Sequence, residues 1–205
     1  RQAGIAKYKK YIKLTAQSID PSMLYGATVS GLSVRQMQQA RTIQALSLGI
    51  NTSQQCITST LALVGKLHAD PGVAFRVAIV MQWMEILHAE SYMQKVIDNA
   101  WDIVLQRLSG AAQLWASVSG PIAATIATLL ELGWQPLSPS SWTSPEGDRW
   151  DMSPLPGKAT KANCHQVLCA VRDSAHKLLW QQASQHRCSD GLVCPPDIAP
   201  CRRQL

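Results

Sequence analysis

Residues 120–152 read GPIAATIATLLELGWQPLSPSSWTSPEGDRWDM. Up to Glu131 the stretch is apolar and uncharged, with Pro121 at its start and Gly133-Trp134 at its end. Proline fits the first turn of a helix, where its missing N–H would have had no partner, and glycine readily takes the left-handed conformation that ends one. The spacing predicts a short buried helix from Pro121, ended by Gly133. Helical periodicity stops at Trp134. Segments 141–144 and 149–152 read as two short strands around a Pro145-Glu146-Gly147-Asp148 turn, with Trp142 and Trp150 as a cross-strand pair. A Trp-rich hairpin therefore interrupts a chain whose other segments read as helices.

Working outward, residues 3–17 are helix-compatible, with Lys7, Lys10 and Lys13 on one stripe at i, i+3 spacing. Ser33 and Gln36 form a capping-box pattern before a helix over 34–48. Its apolar side is expected to carry Val34, Met37, Ala40 and a cluster from Ile43 to Leu48, with Gly49 as its stop. A further helix is expected from about Ser53 to Leu67. Asp70-Pro71 reads as an N-cap followed by a first-turn proline and opens a helix to about His88. The next, 91–108, has Val96, Ile97, Trp101, Val104, Leu105 and Leu108 as its core stripe, and Trp83 and Trp101 read as core residues. The last runs from about Lys161 to His186. The fold expected is mainly α, a multi-helix bundle with a small Trp-rich β-hairpin before the last helix. Its segments are a helical domain over 1–133, the hairpin and linker over 134–157, a C-terminal helix over 158–187 and an irregular tail over 188–205.

The uncharged run 108–130 has the length of a membrane span. Gly110, Gln113, Ser117, Ser119, Gly120 and Pro121 interrupt it and no Lys/Arg cluster flanks it, so we expect no stable membrane insertion. The chain has 205 residues, 46% of them hydrophobic, which excludes wholesale disorder. One Phe against seven Trp, among many Ala, Leu, Ile and Gln, favours helix over sheet. Residue 1 is Arg, so a piece of a longer reading frame is expected, and no signal-peptide pattern follows. An intracellular place, nuclear or cytoplasmic, is expected.

The net charge of +6 is uneven. Residues 1–50 hold seven bases against one acid, Asp20, whereas 51–205 hold twelve of each. A localised excess of this sign suits phosphate backbones or anionic lipid. The six cysteines, Cys56, Cys164, Cys169, Cys188, Cys194 and Cys201, include no C-x₂-C pair, and the histidines no H-x₃₋₅-H pair, so neither a zinc site nor any other metal or cofactor is expected. Phosphate-cradling glycine loops, a nucleophile elbow and paired metal-binding acids are also lacking. No self-contained enzyme is expected.

Residues 21–49, PSMLYGATVSGLSVRQMQQARTIQALSLG, place a tight elbow before a helix with two arginines and no acid. Tyr25, Gly26, Gly31 and Ser33 set the elbow. Arg35 and Arg41, six apart, are offset by about 240° around a helix and need not share a face. On Pro21, Leu24, Tyr25, Gly26, Gly31, Leu32, Ser33, Arg41, Leu48 and Gly49, this stretch resembles the segment after the polymerase core in LINE-type (non-LTR) retrotransposon reverse transcriptases. The 120–152 stretch resembles a region further downstream in such elements. The Tyr-x-Asp-Asp motif of the polymerase palm is absent. The resemblance implies a thumb and connector region that contacts the template–primer backbone beside the rest of the parent polymerase. Lys7, Lys10, Lys13, Arg35 and Arg41 are then the expected sequence-independent contacts to RNA or an RNA–DNA duplex. The rival readings are a helical protein–protein interaction module, an inactive retroelement remnant and a membrane-associated protein.

Overall fold

The computed structural model describes residues 26–47, 56–64, 70–89, 93–153 and 158–184. The expected helix over 3–17, the stop at Gly49 and the tail over 188–205 lie outside these residues. The chain is mainly helical, with a small antiparallel sheet before the last helix. In order, the helices are α1 (Ala27–Ser30), α2 (Val34–Ser47), α3 (Ile57–Val64), α4 (Pro71–Ala89), α5 (Gln94–Ser109), a 3₁₀ turn (Trp115–Ser117) and α6 (Gly120–Glu131). The strands β1 (Gln135–Pro136), β2 (Ser141–Thr143) and β3 (Arg149–Asp151) follow, then α7 (Lys158–Ser184).

The chain divides into two compact units that interleave along the sequence. Among the described residues, one unit comprises those from 32 to 75 and 175–184. The other comprises 26–31 and those from 76 to 174. Helices α4 and α7 each supply residues to both.

In the second unit the ends of α6 are built as the sequence predicts. Gly120 has φ 85° and Pro121 follows it in the first turn. At the other end the Gly133 N–H donates to the Leu130 carbonyl at 3.1 Å and the Trp134 N–H to the Leu129 carbonyl at 2.8 Å. With Gly133 at φ 77°, this is a Schellman termination. It delivers Trp134 into the core, where its Nε1–H donates to Ser174 Oγ at 3.0 Å. The hydroxyls of Thr125 and Thr128, buried on α6, donate to the carbonyls four residues earlier, so no polar atom of theirs is stranded.

The hairpin forms with Trp142 opposite Trp150. Its turn is closed by the Ser144 N–H to the Asp148 carbonyl at 2.8 Å, with Gly147 at φ 93°. A third strand, β1, pairs Pro136 with Trp142 and was not expected from the sequence. Two residues, one of them a proline without a donor, leave no alternation to read, and a sheet edge is where such a strand is tolerated. The sheet packs on the helices of its own unit: the indole N–H of Trp83 donates to the Pro139 carbonyl at 2.9 Å and that of Trp101 to the Pro136 carbonyl at 3.4 Å. Both indoles are buried, with ring centroids 5.3 Å apart. On α5 the structure buries Ile97, Trp101 and Leu108, but Val96, expected in the same stripe, is exposed. Arg76 and Glu131 form an ion pair at 2.8 Å between α4 and α6. No described helix is long and apolar enough to cross a membrane. The 108–130 run is instead split by the 3₁₀ turn and the extended residues before Gly120.

Candidate functional site

The expected site begins at the elbow. Gly26 and Gly31, at φ 72° and 74°, bracket α1. This left-handed backbone suits glycine at both positions. Gly31 has a second constraint: a Cβ there would stand 3.0 Å from the Trp115 ring and 3.3 Å from Val118. Ser33 then starts α2 through the expected reciprocal cap. Its N–H donates to Gln36 Oε1 at 2.9 Å, and the Gln36 N–H donates to Ser33 Oγ at 3.3 Å. Two orphan donors of the first turn are satisfied in this way. Tyr25 lies outside the described residues.

The basic set divides. Lys7, Lys10 and Lys13 lie outside the described residues. Arg35 is exposed on the first turn of α2. Arg41 is not a surface residue, which corrects the expectation that it contacts a phosphate backbone. It is 6% exposed. Its Nε–H is shared between Asp70 Oδ1 and Oδ2 at 3.0 and 3.1 Å, and Nη2 donates to Asp70 Oδ2 at 2.8 Å and to Thr58 Oγ1 at 2.7 Å. The physical reason lies at Asp70. The same carboxylate accepts the Gly72 N–H at 2.8 Å as it caps α4, so a buried acid at a helix start recruits the nearest cation as its counter-charge. Gly72 leaves room for the pair: a Cβ there would meet Asp70 Oδ1 at 3.1 Å and Arg41 Cδ at 3.5 Å.

The inward face of α2 agrees with the sequence reading at Ala40 and Ala45 and adds Arg41 and Gln44. Val34, Ile43 and Leu46, expected inside, are exposed. Ala45 packs with Leu61 and the half-buried Ile57 of α3. Gln44 has no exposed surface, and neither amide atom has a hydrogen-bond partner among the described residues.

Cys56 immediately precedes α3 and is half-buried. Burial pushes its thiol up. Hydrogen bonds from Ser59 and from the Thr58 backbone, with the positive charge of Arg41, outweigh this and hold it below the ordinary thiol value. On α7, burial raises the Cys164 thiol, and Cys169 Sγ lies 3.8 Å from His165 Nδ1. Among the described residues no three His, Cys, Asp or Glu side chains converge as metal ligands would. The sequence reading missed the buried Arg41–Asp70–Thr58 cluster. Asp70 was legible as a cap, but its partner is 29 residues away, beyond any local pattern. The chain matches no protein-family model, no curated protein and no solved structure.

Proposed function

We propose that the chain is a non-catalytic nucleic-acid-binding segment, of the kind that follows the polymerase core in LINE-type reverse transcriptases, and that it contacts the backbone of an RNA or RNA–DNA duplex. The observation that carries this reading is the concentration of the whole +6 excess within residues 1–50. Arg41 drops out of the binding set because Asp70 already neutralises it. The proposed contacts are Lys7, Lys10, Lys13 and the exposed Arg35. The positive-φ glycines at 26 and 31 and the cap at Ser33 support the reading, since they give motif positions of the resemblance a definite conformational job.

The test is binding of the chain to a short RNA–DNA hybrid across a salt series. A linear fall of log affinity with log salt is expected, its slope reduced by up to about 0.9 for each of the four bases neutralised. Neutralising Arg41 together with Asp70 is expected to leave the slope unchanged. A folded chain that does not bind at low salt would remove the reading.

A further inference from the structure

The first half of α7 is held in place from one side. Val167 and Val171 have no exposed surface, and near its start Asn163 Nδ2 donates to the Asp151 carbonyl at the end of β3. His165 and Cys169, one turn apart, lie on the opposite side of the helix. His165 is exposed and Cys169 half-buried, so solvent reaches the pair. Residues four apart on a helix share a face, but that alone does not aim their donor atoms at each other. Here it happens: His165 Nδ1 and Cys169 Sγ are 3.8 Å apart.

That separation is close to the bite of a single metal ion. A tetrahedral zinc ion, with bonds of about 2.3 Å to sulfur and about 2.0 Å to nitrogen, holds such donors about 3.5 Å apart. Small side-chain rotations close the difference, and the backbone of α7 need not move. The donor types fit the same ion. Imidazole and thiolate suit borderline-soft zinc, whereas magnesium and calcium take oxygen ligands. The pair is an H-x₃-C arrangement, outside the C-x₂-C and H-x₃₋₅-H patterns sought in the sequence.

We propose that His165 and Cys169 chelate a divalent metal ion of the zinc class. The thiol S–H bond breaks and its proton leaves to solvent, while S–metal and N–metal bonds form through Cys169 Sγ and His165 Nδ1. Two protein donors make half of a tetrahedral shell, and water fills the rest, so the ion is exchangeable. Affinity rises with pH, because both donors bind without their protons. The proposal stands apart from the nucleic-acid reading, which rests on residues 1–50.

The test is titration of the reduced full chain with Cd²⁺, followed by thiolate-to-metal absorption, and with Zn²⁺, followed by calorimetry. The other cysteines also offer thiols, so the reading is the difference between wild type and variants whose thermal melting is normal. Cys169→Ser and His165→Ala should each weaken one equivalent at least about tenfold, and Cys164→Ser should not. Cys169→His should keep that equivalent of zinc but lose its cadmium absorption. Mg²⁺ in excess should displace neither metal. Metal uptake that is the same in wild type as in Cys169→Ser and His165→Ala overturns the proposal. So does a loss confined to Cys169→Ser, which would assign the metal to the thiol without the histidine. Loss of the equivalent in Cys169→His overturns it too, since two imidazoles at the same places should still chelate.

Discussion

Around α6 the residues without exposed surface are Ala123, Ala124, Ile126, Ala127 and Leu129, and four tryptophans fill out the core of that unit. The threonine hydroxyls and four indoles buried with them find nearby acceptors, whereas Trp150 Nε1 and His88 Nε2 of the same unit have no partner among the described residues. Thr125 and Thr128 bond within their own helix, and the indoles of Trp83, Trp101 and Trp142 bond to backbone carbonyls between residues 136 and 139. Around α2, in the other unit, the inward residues are Ala40, Arg41, Gln44 and Ala45. The first core rests on apolar area, which is non-directional and tolerant of small shifts. The second also buries apolar side chains, among them Leu61, Val73 and Phe75, and adds an ion pair whose value depends on both partners staying in place. Burial in the two regions differs in kind, and the two should respond differently to substitution.

The largest expected effect is in the tryptophan core. Trp101→Ala removes the stack on Trp83 and the bond to the Pro136 carbonyl, and should destabilise by up to about 5 kcal/mol in urea unfolding followed by circular dichroism. A loss below about 1 kcal/mol would mean that this core is not close-packed.

Asp70→Ala comes next. It leaves the Arg41 guanidinium buried without its counter-charge and α4 without its cap, and about 3 kcal/mol should be lost. The double substitution Arg41→Met with Asp70→Asn should recover most of that loss, because an apolar side chain and a neutral cap need no counter-charge. Simple additivity of the two single changes would refute the contrast drawn between the units.

The smallest effect has the opposite sign. Gln44→Leu removes two buried amide atoms that have no partner among the described residues and should raise stability by about 1 kcal/mol, seen as a higher denaturation midpoint. A lower midpoint would show that the amide is satisfied in solution.

These differences also mark what could be read from the sequence. Helix ends were legible wherever a residue acts on its immediate neighbours. Ser33 with Gln36, Asp70 with Pro71, and Gly133 before Trp134 each announce a terminus through bonds spanning a few residues. The Trp142–Trp150 pair was legible because the turn fixes its register. The inward face of α2 was legible only in part: Ala40 was expected inside and is buried, but so is Arg41, which was expected at the surface. Ile43 and Leu46, on the opposite side of the helix, are no less apolar than the Ala40 and Ala45 that face inward, so periodicity alone does not choose between the two sides. What decides is a carboxylate at Asp70, brought close only by the fold. For the same reason Arg35 and Arg41, alike on paper, end in opposite environments. Within the candidate site, Arg35 is exposed and Gly26 and Gly31 take positive φ.

The Trp83–Trp101 pair has an optical consequence. Two indoles with centroids 5.3 Å apart and planes inclined at 34° are near enough for their electronic transitions to couple. Their fixed mutual tilt gives that coupling a handedness, and a paired positive and negative band in the far-ultraviolet circular dichroism should follow. Because the signal requires both rings in place, it would report the packing of α4 against α5 separately from the helical content of the chain.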